Sequence, residues 1–118
     1  MGTNRRTFSQ SVAKAIAIFI FFQSPIAYAE TVEVLLRHAH YRPEQIQVAP
    51  GDTVIFRNTD DYEHSIKLVD QPGILSPVEI LGAGSHSFTV PESMAGGTFL
   101  LGCDEHPNMF AELVVSAP

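Results

Sequence analysis

Residues 96–115 read GGTFLLGCDEHPNMFAELVV, two apolar, strand-like segments joined by a short polar loop. Apolar and small residues alternate up to Cys103, which is the period-two pattern of a strand with one buried face. The loop then contains His106 and Met109, so that Cys103, His106 and Met109 follow one another at intervals of three residues. This stretch predicts a C-terminal β-hairpin whose connection brings a thiol, an imidazole and a thioether together.

The chain upstream of this hairpin has the same β character. Turn signals such as Pro50-Gly51-Asp52 separate the alternating segments, and no stretch has a helical period. About eight short strands separated by such turns are typical of a β-sandwich. We therefore predict an all-β domain with a Greek-key sandwich. The segments are 31–36, 45–48, 53–58, 64–69, 74–81 (interrupted by Pro77), 85–90, 98–103 and 112–116.

Residues 1–29 have the three zones of a secretory signal peptide: a basic start, a short apolar run and Ala27-Tyr28-Ala29 before Glu30. The apolar run is too short for a permanent membrane span, so we predict cleavage rather than a retained anchor. Arg5-Arg6 allows either the general secretory or the twin-arginine route. Both lead out of the cytoplasm, and the predicted location is the periplasm.

The predicted mature chain, residues 30–118, is strongly acidic. It keeps four basic residues against thirteen acidic ones, a formal charge of −9. This charge argues against nucleic acid or an anionic membrane as a partner and favours a protein with a basic docking surface. The 89 residues suffice for one small domain with a single core, and we expect a monomer.

A fourth candidate ligand comes from strand parity. His64 begins the segment HSIKLV and shares a face with Ile66 and Leu68, which predicts that its side chain points inwards. If this segment and the one ending at Cys103 belong to one sandwich, their side chains meet at one end of it. Two imidazoles, one thiolate and a weak axial thioether characterise the blue-copper site, whereas zinc rarely takes methionine and calcium and magnesium need oxygen donors.

The alternative is a buried free cysteine with an unrelated histidine and methionine nearby. The single cysteine of an exported all-β chain argues against it. Small exported domains often pair their cysteines in disulfides, and a leftover cysteine indicates an intermolecular bridge, a reactive thiol or a metal ligand. We therefore predict His64, Cys103, His106 and Met109 as ligands of one copper ion.

With these residues in place, the chain resembles the cupredoxins, or type 1 blue copper proteins. Residues 41–66, YRPEQIQVAPGDTVIFRNTDDYEHSI, resemble the segment that leads to the family's first histidine ligand, and residues 96–115 resemble its ligand loop and last strand. The short CxxHxxM loop with Pro107 is most similar to amicyanin among the amicyanin-like and plastocyanin-like members. The family usually has Asn where Ser65 stands, and its loops are less acidic than Asp104-Glu105.

The resemblance implies a carrier of single electrons, not an enzyme, between a donor dehydrogenase and a cytochrome or other acceptor. An alternative is a copper-binding or delivery protein without electron shuttling. We expect electrons to enter and leave through His106, surrounded by Pro50, Pro107, Met94 or Phe110. Asp104 and Glu105 are expected to favour Cu(II) and lower the reduction potential.

Two further groups have open interpretations. His38 and His40 lie two apart and either share a strand face that binds a second ion or are ordinary surface residues. Asp60, Asp61 and Glu63 form either a docking patch or a solvated turn.

Overall fold

The computed structural model describes residues 28–75 and 77–118. The predicted signal peptide, residues 1–29, therefore lies outside the described residues except for its last two positions. In the part of the chain that is described, no helix has the length and apolar character that crossing a membrane requires.

The described residues form a sandwich of two β-sheets, which confirms the predicted fold class. One sheet has four strands in the order β2-β1-β4-β7, and the other has five in the order β3-β9-β8-β5-β6. A 3₁₀ turn at Glu92–Met94 precedes β8. The nine strands are β1 (Thr31–Arg37), β2 (His40–Arg42), β3 (Gln45–Val48), β4 (Thr53–Asn58), β5 (His64–Leu68), β6 (Val78–Ile80), β7 (Ser85–Thr89), β8 (Thr98–Gly102) and β9 (Ala111–Val115).

The core lies between the two sheets and follows the alternation in the sequence. Each strand turns every second residue inwards, so that apolar side chains of both sheets meet in one layer. Burying each such side chain contributes about 1.5–3 kcal/mol. The largest fully buried residues are Tyr41, Phe56, Leu36, Ile46, Ile66, Leu68, Met94, Leu101, Met109, Leu113, His64 and Val34.

Strand β2 is a difference from the sequence prediction. It pairs with β1 in the register Arg37↔His40, which leaves only His38 and Ala39 in the connecting turn. Both turn residues have positive φ, 52° and 58°, as the favoured two-residue hairpin turn requires. Sequence analysis did not find this turn because it lacks the usual Asn-Gly signal. It also separates the two histidines, since His38 lies in the turn and His40 in β2 rather than on one strand face.

The topology gathers the predicted ligands at one end of the sandwich. β5 begins at His64, β8 ends at Gly102 just before Cys103, and β9 begins at Ala111. β8 lies between β5 and β9 in the five-stranded sheet and is antiparallel to both. The end of β8 lies beside the start of β9, with Leu101 opposite Ala111, and beside Lys67 of β5, which is opposite Gly102. The chain after Gly102 therefore continues past Ser65 towards His64, where the Asp104 N–H contacts the Ser65 hydroxyl.

Candidate metal centre

Three of the predicted ligands converge at this end of the sandwich. One ligand atom each from His64, Cys103 and His106 lie within 4.8 Å of one another. Cys103 Sγ is 3.6 Å from His106 Nδ1, and the two imidazole centroids are 4.8 Å apart. The predicted inward direction of His64 and Cys103 agrees with their burial, at 0% and 6% exposure.

His64 is oriented by a buried carboxylate. Its Nε2 lies 2.7 Å from Asp60 Oδ2, and because a carboxylate only accepts, Nε2 carries the proton. In the neutral imidazole Nδ1 then keeps its lone pair, and among residues 28–75 and 77–118 this buried atom has no hydrogen-bond partner. A buried polar atom without a partner is costly. A metal ion is the kind of group that would satisfy it, and histidine ligands usually donate their other nitrogen in this way.

Asp60 has a role that sequence analysis missed. Its carboxylate also accepts hydrogen bonds from the backbone N–H groups of His38 (2.8 Å) and Ala39 (3.2 Å). Burial raises the pKa of Asp60, but the hydrogen bonds from His64, His38 and Ala39 outweigh it and hold the pKa well below its usual range. Asp60 is thus neither part of a docking patch nor solvated. The available signal was its position four residues before His64.

Cys103 sits between a donor and an acceptor. The backbone N–H of Ser65 points at its sulfur from 3.4 Å, and the thiol in turn donates to Glu105 Oε2 at 3.2 Å. Glu105 also accepts a hydrogen bond from the Ser65 hydroxyl at 2.8 Å. Partial burial opposes ionisation of Glu105, but the bonds from Ser65 and Cys103 are stronger and lower its pKa.

The two acidic loop residues differ in their surroundings. Whereas Glu105 faces Ser65 and the thiol, Asp104 pairs with the Lys67 ammonium at the surface. Glu105 also meets Glu63 and Glu79, because one carboxylate oxygen of each lies within 4.8 Å of the others. The pKa of Glu63 is raised because Glu79 accepts a hydrogen bond from the protonated form of Glu63 and its charge repels the ionised form. The surface beside the three ligands is therefore strongly negative.

The ligand loop keeps Met109 inside and His106 towards the surface. Met109 is fully buried, and its N–H closes a turn on the carbonyl of His106 at 3.0 Å. The ring of Tyr62, 43% exposed, lies 5.0 Å from that of His64 and 5.6 Å from that of His106. Tyr62 thus packs on both imidazoles, a contact the sequence did not suggest.

The surroundings predicted for His106 are partly wrong. Pro107 and Phe110 are exposed in the ligand loop, as expected. Met94 is fully buried and ends the turn that precedes β8, and Pro50 precedes the start of β4. Both strands run from there towards the ligand end, so Pro50 and Met94 lie at the far end of the sandwich.

The donor set fits copper better than other metals. One thiol, two imidazoles and one buried thioether match the soft and borderline ligands of a type 1 copper site. Three of these groups belong to the ligand loop 103–110, and the fourth is the imidazole of His64 in β5. A structural zinc site would need four strong ligands, commonly several thiolates. The nearby carboxylates of Glu63 and Glu79 are separate from the cysteine and histidine cluster.

Comparison with known proteins agrees with this geometry. Residues 10–115 match the family of the cupredoxin-like domain. The chain is similar to the methylamine utilization protein MauL of Methylophilus methylotrophus, at 30% identity over 95 residues, which are 80% of this chain and 55% of that protein. It thus spans about half the length of this relative.

Solved structures of amicyanin variants share the fold. A reduced-state variant superposes with a TM-score of 0.62 at 24% identity, over 73% of this chain and 82% of that one. The Cu(I) form of another variant gives a TM-score of 0.62 at 24% identity, over 77% and 86%. The chain therefore belongs to the cupredoxin-like family, and the cofactor that accompanies this fold and donor set is one type 1 copper ion.

Proposed function

We propose that this protein is an exported electron carrier that holds one copper ion with His64 Nδ1, Cys103 Sγ, His106 Nδ1 and Met109 Sδ. The observation that carries the proposal is the buried, unpartnered Nδ1 of His64 beside a thiol and a second imidazole. When bound, copper supplies a couple that gains and loses one electron. Removal of the signal peptide would leave residues 30–118 as the mature domain in the periplasm.

The contribution of the chain is to keep the ligands in one arrangement in both oxidation states. Asp60 fixes the imidazole of His64, and the N–H of Ser65 holds the sulfur of Cys103. Pro107 limits the backbone freedom of the ligand loop. Since the chain itself supplies these contacts, little has to rearrange when an electron arrives or leaves.

Electron exchange with a partner is proposed to occur at the edge of His106. This side chain is partly exposed and is surrounded by Tyr62, Pro107 and Asn108. The acidic surface farther out, with Glu63, Glu79 and Asp104, suits a partner whose docking surface is basic. The name of the relative MauL makes an amine dehydrogenase the first donor to test and a c-type cytochrome the first acceptor.

The spectrum of the purified copper protein tests the proposal. A carrier is expected to bind one copper per chain, to show an intense visible band from thiolate-to-copper charge transfer, and to be reduced and re-oxidised reversibly. Cys103→Ser removes the thiolate and is expected to abolish the band, whereas Asp61→Asn, an exposed neighbour of the site, serves as the matched control. A colourless protein that binds Cu(I) and releases it to a chelator would instead indicate copper delivery.

A further inference from the structure

Ser65 is buried on the side of β5 that alternation assigns to solvent. It follows the inward-facing His64, so the strand pleat turns its side chain the other way, yet it is only 1% exposed. The ligand loop covers it. The Ser65 hydroxyl oxygen accepts a hydrogen bond from the Asp104 N–H at 2.8 Å and donates to Glu105 Oε2 at 2.8 Å.

This arrangement commits the Ser65 hydroxyl to the loop. A serine hydroxyl has one proton and two lone pairs. The proton faces Glu105, and one lone pair is used by the Asp104 N–H. The sulfur of Cys103 is 3.8 Å from the hydroxyl oxygen, too far to compete with a carboxylate oxygen at 2.8 Å.

The same two residues also enclose the sulfur of Cys103. The Ser65 N–H lies 3.4 Å from Sγ, and Glu105 Oε2 lies 3.2 Å from it. While Cys103 is a thiol, Ser65, Glu105 and Cys103 thus form a closed ring of contacts, and the contact from the Ser65 N–H is the one that a thiolate also accepts. The ring joins Ser65, which follows His64 in β5, to the ligand loop. The residues in contact are 38 to 40 positions apart in the chain.

We propose that Glu105 extends the contact of Ser65 with the ligand loop into a clasp between β5 and that loop, and that Glu105 thereby positions the sulfur of Cys103. The inference rests on the proposed function for its purpose, since a fixed sulfur is what a copper ligand needs. Cupredoxins usually have Asn in place of Ser65. The shorter serine side chain reaches the loop here because Glu105 extends towards it. Glu105 is accordingly a positioning residue and not only a surface charge.

A clasp and a simple charge effect make different predictions for substitutions. Ser65→Ala removes the hydroxyl but no charge, so it opens the clasp without altering the electrostatics of the loop. Glu105→Ala removes both the contact and the charge. Glu105→Gln removes the charge but keeps an oxygen that accepts the Ser65 proton. Asp104→Asn removes a charge from the same loop at a residue whose carboxylate contacts Lys67 instead.

Alkylation of the metal-free protein with iodoacetamide measures how firmly the sulfur is held, and Cys103 is the only cysteine in the chain. Ser65→Ala and Glu105→Ala are each expected to speed modification about tenfold, which corresponds to about 1.4 kcal/mol. The double variant is expected to react no faster than either single variant, because both open the same clasp. Glu105→Gln and Asp104→Asn are expected to stay close to the wild-type rate.

The inference is overturned if Glu105→Ala leaves the rate unchanged, or if Glu105→Gln and Asp104→Asn accelerate it as much as Glu105→Ala does. Glu105 is in an exposed loop, so its variants remain informative even if Ser65→Ala unfolds. Copper binding is scored separately. A wild-type protein without a blue band but with the expected alkylation pattern would contradict the proposed function and leave the clasp standing. A blue protein whose variants are all alkylated at the wild-type rate would contradict the clasp and support the proposed function.

Discussion

Replacing Asp60 with asparagine tests whether one buried carboxylate supports both the fold and the metal centre. Its two oxygens accept three hydrogen bonds, from the N–H groups of His38 and Ala39 and from His64 Nε2. Asparagine has the same size but only one accepting oxygen, and its NH₂ group would face a donor. At least one bond is therefore lost, and those that remain lose the assistance of a charge.

The expected cost can be worked from these contacts. A hydrogen bond to a charged group contributes about 1.5–3 kcal/mol, and Asp60 accepts three such bonds from neutral donors. Because at least one bond is lost and the others are weakened, we expect a loss of about 3 kcal/mol. For a domain of this size, such a loss lowers Tm by roughly 12–24 °C.

The assay is thermal and urea unfolding of the metal-free protein at neutral pH, with Asp61→Asn as the control. Asp61 is adjacent and exposed, so its substitution removes the same charge and is expected to cost less than about 0.5 kcal/mol. Copper affinity provides a second measurement, because loss of the group that orients a histidine ligand typically costs about 10–100-fold. Equal stability and equal copper affinity in the two variants would refute the assigned role of Asp60.

Three further results are expected. Because the folded-state pKa of Asp60 is depressed, its stabilisation is present above its unfolded pKa of about 3.9 and is lost as pH falls from there towards the lower folded-state pKa. The stability difference between wild type and Asp60→Asn should therefore be nearly constant from about pH 7 to about pH 5 and shrink below about pH 4, and a difference that does not shrink in acid would contradict this. Tyr41→Phe leaves the buried Gly102 carbonyl without the hydroxyl that contacts it at 2.6 Å, and we expect urea denaturation to show a loss of about 1–3 kcal/mol. Asp104→Asn frees Lys67 and removes a negative charge near the site, so voltammetry of the copper form should show a higher reduction potential. An unchanged value would show that solvent screens this charge fully, and a lower value would contradict the electrostatic argument.

Strand parity predicted more of the centre than the spacing of the loop alone. It placed His64 and Cys103 inwards at strand ends, and the structure agrees: His64 is buried with Ile66 and Leu68 on one face of β5, and Cys103 follows the buried Leu101 at the end of β8. The same rule does not predict the burial of Ser65, since alternation reports only the direction of a side chain. Whether an outward-facing residue is covered depends on a loop that is distant in sequence.

The residues that hold the ligands in place could not be predicted from local sequence patterns. Asp60 was part of an acidic run with two open interpretations, and Glu105 was one of two equivalent-looking loop carboxylates. Asp60 differs from Asp61 because the β1–β2 turn contacts Asp60. Glu105 differs from Asp104 because the Ser65 hydroxyl donates to the carboxylate of Glu105. The positive φ values of His38 and Ala39 are stabilised by Asp60, 21 to 22 residues away.

The sequence by itself determined the β-sandwich and the set of candidate donors, because period-two alternation, turn residues and ligand chemistry are local properties of the chain. Only the tertiary structure decided how those donors are held. The lone pair of His64 Nδ1 is free because Asp60 occupies Nε2, and the sulfur of Cys103 is enclosed because Ser65 meets Glu105 across the loop. Such contacts arise from the packing of segments that are far apart in the chain, where the surrounding sequence gives no periodic signal.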